Sequence, residues 1–299
     1  MSNKKMTALV SCFARAYHST NNEIKIFDDY LASKLLSEDE YNLISDNMAK
    51  GINYFNQNFK GTDEEALRCI VDNQLSPTTL GRSVYTERML ENAIRIGAKQ
   101  YLIFASGYDT YAYRQGNYDN DFKVFEIDQS FMIDDKINRI KKLNIEMPNV
   151  NYIKCDFTNE NWNKKIINNS NYDINKISFC SLLGITYYLP KDDFKGMVKK
   201  ISNMISYGST LVFDYPTYSV DERTQKVEQL AQSANEEMKA KYSYEEIEQI
   251  LSDNELLIYE HLTPIEITEQ YFKKYNNANP NNQMKEFDSV NYCLAFKKK

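Results

Sequence analysis

Acidic residues stand at or just after the ends of three successive apolar segments of this chain. Asp109 follows the small-residue turn 105–107, Asp128 ends the second segment, and Asp156 follows the third. Small residues let a backbone approach a ligand closely, and a carboxylate at a strand end can accept hydrogen bonds from a ribose diol. Asp128 lies roughly twenty residues beyond the turn, as one strand–helix–strand unit requires. The spacing predicts a nucleoside site, although a ligand-free turn at 105–107 and a helix-capping role for Asp128 stay open.

The chemistry of the first turn bears on which nucleoside cofactor would bind there. The pyrophosphate of a dinucleotide needs free backbone donors and glycines at a helix N-terminus. Ala105 and Ser106 are not glycines, and the charge of Asp109 would repel a diphosphate. The turn therefore favours S-adenosylmethionine over NAD, and a nicotinamide-dependent oxidoreductase is the disfavoured alternative. In this interpretation the Asp156 carboxylate accepts a hydrogen bond from the adenine amino group, and Phe157 flanks the ring.

Seven short apolar segments, most of them separated by amphipathic helical segments, occupy the chain from residue 100 onward. Strands and helices alternate in this way when a mostly parallel sheet is covered by helices on both faces. The predicted fold is α/β, with a Rossmann-like, doubly wound, mostly parallel seven-stranded sheet that binds ligands beyond the carboxyl ends of its strands. The predicted strands are 101–105, 123–127, 151–155, 177–182, 210–213, 256–261 and 290–296.

Apolar residues in the first 95 positions recur at the three- and four-residue steps of helices. We predict a helical N-terminal extension over 1–95 that caps the cofactor-binding domain, 96–299, and contributes to the acceptor pocket. A charged helical segment after the fifth strand predicts a lid over 216–252.

Local signals place two helices within the extension. Ser37 and Glu40 have the spacing of a capping box, which predicts a helix that starts after Ser37. Pro77, followed by two threonines, predicts an interruption before a helix over 83–96, which Gly97 closes.

Composition limits the classes of partner. The 299 residues carry a net charge of −6 with a pI near 5.2, and their lysines are scattered among acids, so nucleic-acid binding is not expected. The chain has neither a signal-peptide pattern nor an apolar run long enough for a membrane span, which predicts a cytoplasmic protein. We expect a monomer or a homodimer. Its five cysteines are far apart and lack a CxxC pair, which predicts reduced thiols and no metal site.

Five motifs occur together in one half of the chain. They are 81–83 (GRS) followed by Glu87, 101–114 (YLIFASGYDTYAYR), 125–128 (FEID) with Lys136 downstream, 155–157 (CDF) and 183–189 (LGITYYL). In combination they resemble the leucine carboxyl methyltransferase family of S-adenosylmethionine-dependent O-methyltransferases, including its bacterial small-molecule branch. That family usually has glycine where Ala105 stands and glutamate where Leu183 stands.

The resemblance implies roles for individual residues. Arg82 would pair with the carboxylate of the cofactor's methionyl group, a bidentate task that suits a guanidinium. Gly107 would let the backbone pass the cofactor, and Asp128 would hold the ribose. The predicted cofactor-binding residues are Arg82, Ala105, Gly107, Asp109, Asp128, Asp156, Phe157 and Leu183.

Catalysis of methyl transfer depends mainly on alignment of acceptor, methyl group and sulfur. A small-molecule or peptide carboxylate is already ionised and needs no general base, whereas a hydroxyl acceptor needs one. His18 and His261 are the only histidines. We predict His18, Arg15 and Tyr188 as catalytic residues, with Tyr187 as the other tyrosine that could line the pocket. The alternatives are a core role for the tyrosines and histidines and a surface role for Arg15. A cofactor-binding regulatory or scaffold protein without turnover is the other function that stays open, because Leu183 replaces the family glutamate.

Overall fold

The computed structural model describes residues 3–114, 121–145, 150–219, 221–233 and 238–299. Seven strands form one sheet in the order β3-β2-β1-β4-β5-β7-β6. Strand β1 pairs in parallel with β2 and with β4, β2 with β3, and β4 with β5, while β6 and β7 are antiparallel. The predicted mostly parallel α/β sheet is therefore confirmed. The strands are β1 Gln100–Phe104, β2 Lys123–Asp128, β3 Val150–Lys154, β4 Ser178–Leu182, β5 Thr210–Pro216, β6 Leu256–Leu262 and β7 Val290–Lys297.

Helices make up most of the remaining described structure. The α-helices are α1 Asn3–Asn21, α2 Ala32–Leu35, α3 Glu38–Lys50, α4 Ile52–Phe55, α5 Asp63–Ile70, α6 Ser76–Arg95, α7 Tyr111–Arg114, α8 Ser130–Lys142, α9 Trp162–Ile167, α10 Lys191–Met204, α11 Glu222–Ser233, α12 Tyr244–Ser252, α13 Pro264–Ile267 and α14 Lys273–Ala278. Two π-helical turns, Val71–Leu75 and Thr268–Phe272, and one 3-10 turn, Thr186–Tyr188, complete the set.

Two local predictions about helix ends have different outcomes. The capping box is confirmed, because the Ser37 hydroxyl accepts from the Glu40 N–H and the Glu40 carboxylate accepts from the Ser37 N–H. The predicted interruption at Pro77 is wrong, since α6 already begins at Ser76. Helical backbone continues without a gap from α5 through the π-helical turn Val71–Leu75 into α6, and Pro77 comes two residues after this wider turn.

The chain divides into two compact units. The helical unit comprises Met1–Tyr85, Ser219–Glu236 and Thr263–Val290, and the sheet unit comprises Thr86–Tyr218, Glu237–Leu262 and Asn291–Lys299. Of the two helices in the segment predicted as a lid, α11 belongs to the helical unit and α12 to the sheet unit. The domain boundary at 95 and the role of 216–252 as a lid stay predictions.

Each unit has its own buried apolar residues. In the sheet unit, every residue of β1 and β4 is buried, and a large cluster joins the sheet to α9, α10 and α12. In the helical unit, Cys12, Phe13 and Ala16 of α1 are fully buried. Among the described helices, none combines the length and the apolar character that crossing a membrane requires.

Candidate functional site

The sheet reverses its strand order next to β1, which pairs with β2 on one side and with β4 on the other. Phe104 at the end of β1 lies opposite Leu182 at the end of β4. The loops that follow these two strands therefore leave the sheet side by side, at the place where open α/β sheets bind their ligands.

The turn after β1 adopts a backbone conformation that favours glycine. Both Ala105 (φ 53°) and Gly107 (φ 47°) are in the left-handed region. Glycine takes this conformation without a Cβ clash, whereas alanine is strained there by about 1 kcal/mol or more. Glycine therefore suits the backbone at position 105 better than alanine does. This is a physical reason for the glycine that the family usually has where Ala105 stands.

Asp128 connects the end of β2 to this turn. One carboxylate oxygen accepts a hydrogen bond from the Gly107 N–H (2.8 Å), and the other accepts from the Gln129 N–H (2.6 Å). The side chain is buried. Because each carboxylate oxygen can accept more than one hydrogen bond, these contacts leave acceptor capacity for the hydroxyls of a ribose. The structure therefore brings Gly107 and Asp128 into contact, as a shared nucleoside site requires.

Asp109, in the same turn, caps the short helix that follows. Its carboxylate accepts a hydrogen bond from the Tyr111 N–H (2.8 Å). At the other end of α7, Arg114 forms a partly buried ion pair with Glu87 and also donates to the Thr110 hydroxyl (2.8 Å). This pair joins two of the sequence motifs and fixes the segment that leaves the turn.

The end of β3 supplies an aromatic surface. Phe157 is half-buried, and its ring packs against Phe104 (centroids 6.2 Å apart) and edge-on against Trp162 (5.3 Å). Asp156 is exposed, and its carboxylate accepts from the N–H and hydroxyl of Thr158. Asp156 and Phe157 therefore follow the carboxyl end of β3, next to the carboxyl end of β2, where Asp128 lies.

The loop after β4 is organised by Asp214, a residue that the sequence analysis missed. This fully buried carboxylate of β5 accepts from the Gly184 N–H (2.7 Å) and the Tyr187 hydroxyl (3.0 Å). Tyr187 consequently has a structural role, while Leu183 and Tyr188 are half-buried. An aspartate within the apolar segment LVFDYP was the signal in the sequence.

Arg15 and Arg82 meet at one hydroxyl within the helical unit. Both guanidinium groups approach the Ser11 hydroxyl, each at 3.4 Å. Arg15 also forms a buried ion pair with Asp29 (2.8 Å). Two cationic groups beside a small polar side chain provide a place where an anionic group could be held.

His18 lies fully buried in the same unit. Its Nε2 accepts a hydrogen bond from the Ile26 N–H (2.8 Å), which occupies the lone pair that a general base would use. Burial lowers the pKa of His18 to about 4. His261, in the sheet unit, has its Nε2 2.7 Å from the Tyr215 hydroxyl. Neither histidine presents a free Nε2.

Comparisons with known proteins agree on one family. The sequence model of the leucine carboxyl methyltransferase family matches residues 8–202. The chain is 33% identical over 98% of both lengths to YktD of Bacillus subtilis (strain 168), which is provisionally named an S-adenosyl-L-methionine-dependent methyltransferase. A provisionally named methyltransferase of the same dependence from Mycobacterium marinum (strain ATCC BAA-535 / M) is 27% identical over 75% of this chain and 70% of its own.

Solved structures share the fold. A crystal structure of a provisionally named methyltransferase from Thermobifida fusca YX aligns with a TM-score of 0.53 at 16% identity, over 84% of this chain and 94% of the other. A DUF574 family protein from Streptomyces avermitilis aligns with a TM-score of 0.55 at 14% identity, over 83% and 96%. At these identities the likeness concerns the fold alone.

Proposed function

Because this chain belongs to the leucine carboxyl methyltransferase family and is an S-adenosylmethionine-dependent methyltransferase, we propose that it methylates a carboxylate oxygen of a small molecule or peptide. When bound, the cofactor supplies an electrophilic methyl group on a sulfonium. The protein's part is to bind the cofactor, to orient the acceptor and to exclude water.

The contact of Asp128 with Gly107 is the main support for cofactor binding at the strand ends. A carboxylate held by two backbone N–H groups has a fixed orientation, as a ribose-binding group needs. Phe157 offers a half-buried ring for the adenine, with Asp156 beside it. In this proposal Arg82 holds the methionyl carboxylate.

The charge of this region fits a cationic cofactor better than a diphosphate. Burial raises the pKa of Glu126 to about 7, and the nearby charges of Asp109 and Asp128 contribute to this rise. A diphosphate at the turn would add negative charge to this group of carboxylates. The family assignment gives no support to a nicotinamide cofactor.

The hydrogen bonds of the two histidines are the reason for proposing a carboxylate as the acceptor. A hydroxyl acceptor needs a base to take its proton, yet Nε2 of His18 and of His261 is already in a hydrogen bond. A carboxylate is ionised at neutral pH and needs no base. Arg15, close to Arg82 at the Ser11 hydroxyl, is the proposed anion-binding residue for it, and the half-buried Tyr188 is the proposed aromatic neighbour of the methyl group.

The test uses cofactor labelled in its methyl group, the purified protein and a cell extract. A carboxyl methyl ester is hydrolysed by mild alkali and releases volatile labelled methanol, whereas methyl ethers and N-methyl products keep the label. Alkali-labile label is the expected result, and alkali-stable label would refute the choice of a carboxylate. Cofactor binding without any labelled product would instead fit the non-catalytic binding protein that Leu183 suggests.

A further inference from the structure

Two buried charged side chains, Glu126 and Lys136, form a pair to which the proposed function assigns no contact with cofactor or acceptor. Glu126 on β2 and Lys136 on α8 are both fully buried, with the Lys136 ammonium nitrogen 2.6 Å from a carboxylate oxygen of Glu126. Their alignment is not that of a hydrogen bond, and neither charged group has a hydrogen-bond partner among the described residues. The charge of the Lys136 ammonium is therefore compensated by its close contact with the Glu126 carboxylate.

The register of the sheet puts this pair close to Asp128. Side chains two residues apart on a strand point to the same face, so Glu126 and Asp128 share one face of β2. Helix α8 starts at Ser130, two residues after Asp128, and its Lys136 reaches Glu126. The lysine therefore approaches the same face of β2 that carries the ribose-binding carboxylate.

Two tyrosines and two carboxylates surround the pair. The Lys136 ammonium lies 5.6 Å from the centre of the Tyr113 ring on α7, and the Tyr113 hydroxyl is hydrogen-bonded to that of Tyr152, which lies opposite Glu126 on β3. Besides Lys136, the charged groups that act on Glu126 are Asp109 and Asp128. Within the described residues, Glu126 is the only carboxylate in contact with Lys136.

We propose that Glu126 is a positioning residue for cofactor binding, because it holds the Lys136 ammonium away from Asp128 and so leaves Asp128 to Gly107 and the ribose. This inference rests on the proposed assignment of the ribose to Asp128. A buried ammonium that loses its counter-ion is strongly destabilised, and Asp128 is the next carboxylate on the same face of the same strand.

Removing one or the other charge should have unequal effects. Without the Glu126 charge, the ammonium turns to Asp128 and competes with the ribose hydroxyls. Without Lys136, the Glu126 carboxyl takes up a proton, because burial and the neighbouring Asp109 and Asp128 already raise its pKa to about 7. Asp128 then keeps its contacts. A purely structural pair would instead give similar losses for both changes.

The experiment measures the affinity for S-adenosylhomocysteine by calorimetry at pH 8, with thermal unfolding as a check of folding. We expect Glu126→Gln to weaken binding roughly ten- to a hundredfold, the loss that follows when one charged hydrogen bond is withdrawn. Lys136→Met, and the double variant with both changes, should alter it by less than about threefold. Equal weakening in the two single variants, or no rescue in the double variant, would overturn the proposal.

A second measurement needs no change at Glu126. Protonation of Glu126 as the pH falls below about 7 removes its charge, as Glu126→Gln does. The affinity of the unmodified protein for S-adenosylhomocysteine should therefore fall between pH 8 and pH 6. The affinity of the Lys136→Met variant should stay level over the same range. Parallel pH profiles would contradict the proposal even if Glu126→Gln does not fold. Asp128→Asn separates the two levels of inference. If it leaves the affinity unchanged, the ribose assignment fails; if it weakens binding and Glu126→Gln does not, only the positioning role fails.

Discussion

Replacing Asp128 with asparagine separates its structural contacts from its proposed contact with the cofactor. The carboxylate accepts from the Gly107 N–H at 2.8 Å through one oxygen and from the Gln129 N–H at 2.6 Å through the other. Asparagine keeps the shape but has only one acceptor oxygen, so one backbone N–H must face an amide NH2 group.

The cost to the fold follows from these two bonds. Hydrogen bonds to a charged group contribute about 1.5–3 kcal/mol each, so losing one and weakening the other should lower the free energy of unfolding by about 2–3 kcal/mol. For a unit of this size that corresponds to a fall in Tm of roughly 2–4 °C per kcal/mol, which leaves the protein folded at room temperature.

The cost to binding is the contact with the ribose hydroxyls. Loss of a charged hydrogen bond of the same strength predicts a Kd for S-adenosylhomocysteine that rises roughly ten- to a hundredfold. Asp134→Asn is the matched control, because this exposed aspartate of α8 bonds to Ser130 and Lys154 and has no proposed ligand contact. Its Kd should equal that of the unmodified protein.

The assay is calorimetry with S-adenosylhomocysteine and with an analogue that lacks the ribose 2′-hydroxyl. If Asp128 binds the diol, the losses from Asp128→Asn and from the missing hydroxyl are less than additive, since both remove the same contact. A destabilised Asp128→Asn protein with an unchanged Kd would refute the reasoning and would leave Asp128 as a residue that only ties the turn to β2.

Three further predictions concern Arg82, His18 and Ala105. Arg82→Lys should weaken cofactor binding nearly as much as Arg82→Ala, because a lysine cannot form the bidentate contact, whereas Arg95→Ala on the exposed face of α6 should leave the Kd unchanged. His18 has its pKa lowered from 6.5 to about 4, so the folded protein loses stability as the pH falls from about 6.5 to about 4; urea unfolding should show a loss of up to about 3 kcal/mol that His18→Gln lacks. Ala105→Gly should leave Tm unchanged or raise it slightly, because relief of the left-handed strain offsets the entropy of glycine, while Ala105→Val should lower Tm; a lower Tm for the glycine variant would contradict the strain.

The strands of the sheet were predictable because their signal is local. Strands β1 and β4 are continuously buried and mostly apolar, and all seven observed strands lie within three residues of the predicted bounds. The interruption expected at Pro77 failed because a π-helical turn depends on packing that has no clear sequence signature.

Residues that organise the site were harder to predict because their partners are distant in sequence. Asp214 acts on Gly184, thirty positions earlier, and the helical unit assembles from three separate segments of the chain. Asp128 was predictable because a strand end and its spacing from the turn identify it. The bond to Gly107 was not, since it depends on how the two loops meet in space.

The most direct test of carboxylate methylation compares two samples of one acceptor extract, one of them with its carboxylates blocked by amidation. Each is incubated with the purified protein and S-adenosylmethionine, and S-adenosylhomocysteine is measured together with alkali-labile methyl groups. We predict equal amounts of both products in the untreated sample and neither in the blocked sample. Formation of S-adenosylhomocysteine at the same rate in the blocked sample would contradict the account.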